Sequence, residues 1–314
     1  MPEDTTTSPR LDWRTSLLLL MPPVMWAGNA VVGRLMQNTL PPLTFNFLRW
    51  VLAGLCLLPV AGWVLRPGQG LWSTWRRFAH LGLLGVGMYN ALQYLALKTS
   101  NPMNVTLVAA STPVWMLLLG RVLYGVPIPR RAALGAALSL AGVATVLSRG
   151  DPANLLQIRW VAGDAWMLLA ALSWAWYSWL LVRPPAGGYP ASIRGDWSAF
   201  LFAQIVFGLG WSGLMTAGEW SRPLAIGAPT PPFVWGWPMA AALIYVAIGP
   251  SLLAYRCWGA GVARVGPSIA GFFTNLTPLI AAILSALLLG DPPQPYHALA
   301  FVLIVGGIVV SSRR

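Results

Sequence analysis

Charge is what this chain has least of. Only 9% of its 314 residues are Asp, Glu, Lys or Arg, where a soluble domain of this size carries about 25% to wet its surface. A water-facing surface is therefore excluded over most of the molecule. Acidic residues are the scarcest, eight against twenty basic ones. None lies at the middle of a long apolar run, so the intramembrane carboxylate that usually serves proton or cation coupling is missing. Histidine is nearly absent. His80 and His297 stand near the ends of apolar runs without a Cys, Asp or Glu cluster beside them, which supports neither a metal centre nor an intramembrane enzyme. The two cysteines, Cys56 and Cys257, fall inside apolar runs and form no metal or disulfide spacing. No Gly-x-x-x-x-Gly-Lys loop is present, so ATP is not the motor. The net charge of +12 is spread over short segments, where nucleic-acid binding needs one basic face. No cofactor, metal or nucleic-acid partner is expected.

What is present is apolar: 57% of the chain, with 32 Gly, 27 Pro and 18 Trp. Gly and Pro are commoner in membrane helices than in soluble ones. A crossing needs about 20 predominantly apolar residues. Ten stretches qualify: 15–37, 43–65, 78–97, 102–124, 130–148, 160–182, 197–217, 238–258, 266–289 and 295–312. The first follows a polar tail, 1–14, and continues past the small residues Ala27, Gly28 and Ala30, so it reads as a retained helix and not as a cleaved signal. The fold class expected is an all-α integral membrane protein of ten transmembrane helices. With the N-terminus inside, fourteen basic residues fall on the cytoplasmic side. Six, namely Arg34, Arg49, Lys98, Arg149, Arg159 and Arg222, fall outside. That bias obeys the positive-inside rule and puts both termini in the cytoplasm.

The chain also repeats. A shift of 165 residues lays Pro102 on Pro267, Thr112-Pro113 on Thr277-Pro278, Gly125 on Gly290 and Gly142 on Gly307. Near the front, Trp26 meets Trp174 at a shift of 148. Each copy has five spans, 15–148 and 160–312. An odd number makes the second copy enter the membrane from the opposite side, the inverted-topology plan of secondary transporters.

Polar side chains at mid-depth are costly and mark a cavity or a helix contact. Asn29, Tyr89, Asn90, Gln93, Thr112, Asn275 and Thr277 recur at that depth. Trp26, Trp174 and Trp176 also lie near span centres, away from the interfacial belts that account for the other tryptophans. Trp174 and Tyr177 are three apart and share a helix face, which suits stacking on a flat or apolar substrate. Pro22, Pro23, Pro113, Gly249, Pro250 and Pro278 lie within spans and are candidate hinges, since proline frees backbone carbonyls and permits a bend. Small residues such as Gly135, Ser139, Gly306 and Gly307 mark the fifth and tenth spans as scaffold.

The run Leu289-Gly290-Asp291-Pro292 leading into a Gly-rich last helix, with Thr-Pro-(Val/Leu) in the fourth and ninth spans, resembles the drug/metabolite transporter superfamily in its EamA-type branch. Val126 departs from the pattern where the first copy should carry the acidic residue. The resemblance implies alternating access through a central cavity surrounded by spans 1, 3, 4, 6, 8 and 9. The aromatic content is most similar to the bacterial aromatic amino acid exporters. The expected function is a monomeric inner-membrane exporter of amino acids, aromatic or apolar ones preferred, with membrane lipids around it. Export of drugs or of nucleoside- or sugar-like metabolites is the alternative within transport. A lipid scramblase or structural membrane protein is the alternative outside it.

Overall fold

The computed structural model describes residues 11–36, 39–100, 102–157, 159–226, 232–289 and 294–313. The residues up to Arg10, the run Gly290-Asp291-Pro292 and Arg314 lie outside them. Among the described residues there are helices and no strands. Eight helical stretches are long and apolar enough to cross a membrane.

Helix α1 (Trp13–Met36) keeps its helical course through Pro22-Pro23, so the expected bend is not seen there. Helix α2 (Pro42–Ala61) follows. Then α3 (Trp75–Leu81) and α4 (Tyr89–Thr99) are joined end to end by a π-helical segment, Gly82–Met88. Helix α5 (Pro102–Ala110) breaks at Ser111 and resumes as α6 (Thr112–Tyr124). Pro113 cannot donate to the helix and its ring crowds the carbonyl four residues back. The Ser111 hydroxyl donates instead to Val108 O at 2.6 Å, and that of Thr112 to Ala109 O at 2.6 Å. Helix α7 (Arg130–Leu147) completes the first half.

The second half contains α8 (Ala162–Val182), the single turn α9 (Ala191–Arg194) and α10 (Trp197–Ala225). Helix α10 outruns the sequence expectation of 197–217 because its last turns are seated on α2. Glu219 accepts from the backbone of Leu43 and Thr44, and the Trp220 indole donates to Thr44 Oγ1 at 2.8 Å. Next come α11 (Trp237–Val246), a second π segment (Ala247–Leu253) and α12 (Ala254–Thr274). This apolar stretch, Trp237–Thr274, has 38 residues, nearly twice one crossing. It is broken at Gly266, whose φ of 80° and ψ of 161° lie outside the helix in a region glycine reaches without strain. Helices α13 (Leu276–Leu289) and α14 (Pro295–Ser312) end the chain.

Three correspondences follow the 165-residue shift. Helix α7 falls on α14 end to end, and the two π segments coincide. The break before Thr112-Pro113 matches that before Thr277-Pro278 to within one residue. Helices α7 and α14 also pack closely on each other. A Cβ at Gly135 would stand 2.7 Å from Gly307 O, and one at Gly142 would stand 3.0 Å from Ala300 O. As numbering rises on one helix it falls on the other, so they run antiparallel.

Side chains from elsewhere hold the π segments. Asn46 of α2 donates to Val86 O at 3.2 Å, the Tyr255 hydroxyl of α12 donates to Gly85 O, and the Trp26 indole of α1 donates to Pro250 O at 3.3 Å.

Candidate functional site

Helices from both halves converge on a cavity of about 260 Å³. Trp26 and Asn29 enter from α1, Tyr89, Asn90 and Gln93 from α4, and Val105, Thr106, Ala109 and Ala110 from α5. Thr112 comes from the start of α6, Val146 and Leu147 from the end of α7, and Trp174 from the middle of α8. Thr274, Asn275, Thr277, Pro278 and Ala281 come from the broken junction of α12 and α13. The two helix breaks therefore open directly into the wall.

One end of the cavity is a packed aromatic floor. Trp174 is 2% exposed and touches five other rings at centroid distances of 5.0–5.5 Å: Trp26, Tyr89, Tyr177, Tyr255 and Trp258. Tyr255 continues the cluster to Trp50 at 5.0 Å. The remaining wall lies toward the end at which α1, α4 and α7 finish and α5 begins. Each such ring contact adds about 0.5–1.5 kcal/mol beyond area burial, so the floor is a cohesive unit.

The polar groups of the wall are only partly used by the protein. Asn275 Nδ2 donates to Ser139 Oγ of α7 at 2.9 Å, while its Oδ1 has no partner among the described residues. The buried Trp174 Nε1 has none among them either. No protein group among the described residues bonds the side chains of Asn90, Gln93 or Thr277. Buried polar groups are ordinarily paired. Asn275 Oδ1 and Trp174 Nε1 are closed off from open space, whereas Asn90, Gln93 and Thr277 form a polar set in the wall that is available to a small molecule.

Of the nine binding residues expected from sequence, the cavity brings together Asn29, Tyr89, Asn90, Gln93, Thr112, Trp174, Asn275 and Thr277. It does not include Tyr177, which lies behind Trp174, donates to Gln204 Oε1 at 3.0 Å and rests against Gly85. Three-residue spacing put Trp174 and Tyr177 on one face, but that face runs along the floor and only its first ring reaches the space above. Of the mid-span tryptophans, Trp26 joins the wall whereas Trp176 is 41% exposed and points outward. Gly249 and Pro250 belong to a π segment, and Pro113 and Pro278 sit just after helix breaks.

Two further sequence readings need correction. The fifth span is more than scaffold, because Val146 and Leu147 of α7 line the cavity and its Ser139 holds Asn275. Arg49 does not belong to the outer loops. It is 0% exposed within α2, and its guanidinium reaches Ser251, Asn29 and Tyr94. Its place seven residues inside a long apolar run was the available signal, and counting it with loop charges obscured it.

Comparison with known proteins agrees with this architecture. Residues 13–148 and 161–313 each match the model of the EamA-like transporter family. An "uncharacterized transporter" of Archaeoglobus fulgidus is 26% identical over 96% of this chain and 98% of its own length. The "uncharacterized inner membrane transporter YedA" of Escherichia coli K12 is 26% identical over 91% of this chain and 87% of its own. A protein of known crystal structure superposes with a TM-score of 0.72 at 22% identity, covering 95% of this chain and 96% of that one, which establishes likeness of fold. The chain is a multi-pass membrane protein and belongs to the EamA-like transporter family.

Proposed function

We propose that this protein is an inner-membrane secondary transporter that exports amino acids, aromatic or apolar ones preferred, by alternating access through the cavity between its halves. One observation carries the reading: a cavity walled by both halves, aromatic on one side and edged with the side chains of Asn90, Gln93 and Thr277, which no protein group among the described residues engages. Trp174 and Tyr89 stack on the substrate side chain. Asn29, Asn90, Gln93, Thr112, Asn275 and Thr277 serve its polar end. The volume of about 260 Å³ is slightly under the roughly 300–1,000 Å³ of drug-sized sites, which favours a small metabolite over a drug.

The transmembrane plan within this reading is ten helices in two inverted repeats, 15–148 and 160–312, behind a cytoplasmic tail, 1–14. Two further crossings, Trp75–Thr99 and the stretch after Gly266, bring the eight apolar stretches to that count. The paired family matches support two copies. The antiparallel contact of α7 with α14, reciprocal under the 165-residue shift, supports their opposite orientation, since only a two-fold relation repeats a contact this way. With both termini cytoplasmic, the aromatic floor seals the inner side and the cavity lies outward of it. The π segment around Gly249 and Pro250 and the breaks at Pro113 and Pro278 supply the bends, with the protein acting as a monomer.

Counterflow in liposomes tests this. Protein-containing vesicles preloaded with phenylalanine should accumulate labelled phenylalanine, and a competitor panel of drugs and nucleosides should leave that flux unchanged. Equal uptake by preloaded and empty vesicles rejects transport of amino acids.

A further inference from the structure

Arg49 lies about two turns inside α2 and is wholly buried. Its Nε and Nη2 donate to Ser251 Oγ at 3.0 and 2.8 Å, and its Nη1 donates to Asn29 Oδ1 and the Tyr94 hydroxyl, both at 3.4 Å. All three partners are neutral. Every described carboxylate is engaged elsewhere: Asp12 with Thr15, Asp151 with Ala153, Asp164 with Ser100 and Asn104, Asp196 with Ser198, and Glu219 with Thr44. A guanidinium does not give up its proton in a protein, and a buried charge without a counter-charge is costly. Inside a membrane helix such a residue marks a pathway for substrate or ion.

The geometry says where the charge acts. Arginine can only donate, so the side chain it faces at position 29 must offer oxygen. The amide of Asn29 is thereby oriented with Oδ1 toward Arg49, and its Nδ2 is left on the other side. That nitrogen has no protein partner among the described residues, and Asn29 is part of the cavity wall. The N–H groups it presents are polarised by a full positive charge one residue behind them.

We propose that Asn29 and Arg49 form the subsite for a carboxylate of the transported molecule. Asn29 Nδ2 donates to a carboxylate oxygen. Arg49 acts through Asn29 as a positioning residue that fixes the amide and supplies the compensating charge. A phosphate is a poorer fit, because its larger charge calls for several direct cationic or backbone donors, and the wall has one polarised amide. The inference rests on the reading of the cavity as the transport site.

The test measures binding by intrinsic tryptophan fluorescence of the full purified protein, with two acid–amide pairs: phenylalanine with phenylalaninamide, and phenylacetate with phenylacetamide. Each accepted acid should bind about tenfold or more tightly than its amide. Arg49→Gln should erase that preference mainly by weakening the acid, with the amide unchanged, and Arg49→Lys should restore part of it. Asn29→Asp places a fixed carboxylate beside Arg49 without removing the buried cation, and should reverse the preference. Acid and amide binding equally to the unmodified protein, or an unchanged ratio in folded Arg49→Gln and Asn29→Asp variants, would overturn the subsite. Phenylacetate accepted with phenylalanine refused would overturn the amino acid reading and keep the subsite. Binding of none of the four would overturn both.

Discussion

Glu219→Ala should loosen the seat of α2, and the cost can be worked from its hydrogen bonds. Helix α2 opens with Pro41-Pro42, neither of which carries a side-chain acceptor. Pro42 has no N–H, so the orphan donors of the first turn are Leu43 N and Thr44 N. Both donate to Glu219 of α10, at 3.1 and 2.8 Å, and the Thr44 hydroxyl adds a third bond at 2.9 Å. One carboxylate from a distant helix thus caps the whole end. Losing a cap costs about 1 kcal/mol and up to about 2, and each unsatisfied buried donor costs about 1–3. Thr44 is buried while Glu219 is half-buried, so water can replace part of what is lost, and about 2 kcal/mol is expected for Ala. Glu219→Gln keeps one acceptor oxygen and should cost about half of that. Denaturant unfolding of the detergent-solubilised protein, followed by tryptophan fluorescence, measures both. An Ala variant within about 0.5 kcal/mol of the parent, or Gln and Ala variants equally destabilised, would refute the reasoning.

Gly135→Leu should prevent α7 and α14 from closing, since even its Cβ would stand 2.7 Å from Gly307 O; loss of monodisperse protein on size exclusion checks it, with Gly306→Leu, where a Cβ meets open space, as the tolerated control. Trp174→Ala should raise the KM for labelled phenylalanine about tenfold or more, whereas Tyr177→Phe, which removes only the bond to Gln204 behind the wall, should leave that KM within about twofold. Asp196 caps α10 through Ser198 and Ala199, and the Ser198 hydrogen bond holds its carboxyl below the usual range against the opposing pull of burial. A lowered folded pKa means stability that is full above the ordinary carboxylate value and lost as pH falls through the lowered one. Asp196→Asn should flatten that acid limb in a thermal-melt series below about pH 5.

The sequence carried much of this because membrane helices advertise themselves by length and apolarity, and because Pro and Gly at equal offsets are hard to place by chance. Polar groups at mid-depth were equally legible: Asn29, Asn90 and Asn275 could be named from their positions alone, and they meet at one cavity. What was not legible depended on azimuth. Spacing alone could not say that Tyr177 faces the floor, that Trp176 turns outward, or that the end of α7 reaches the wall. The continuous course of α1 through Pro22-Pro23 has the same lesson, since a proline permits a bend without requiring one. Arg49 was misread for another reason: a charge count treats every arginine as solvated, and only its neighbours reveal one that is buried.

The π segment at Gly82–Met88 acts as an angular offset for everything after it. Each residue in an α-helix turns the chain by about 100°. Tyr89, Asn90 and Gln93 face the cavity at the azimuth that the wider π turn delivers. Winding the same residues as α-helix would add about one residue's rotation, roughly 100°, and swing those three side chains away from the cavity. It would also return Gly85 O to a helix N–H in place of the Tyr255 hydroxyl that now donates to it. The second segment, Ala247–Leu253, has the same hold over Tyr255 and Trp258. The register of the cavity wall is therefore set by how two short stretches are wound, several residues upstream of the side chains that use it.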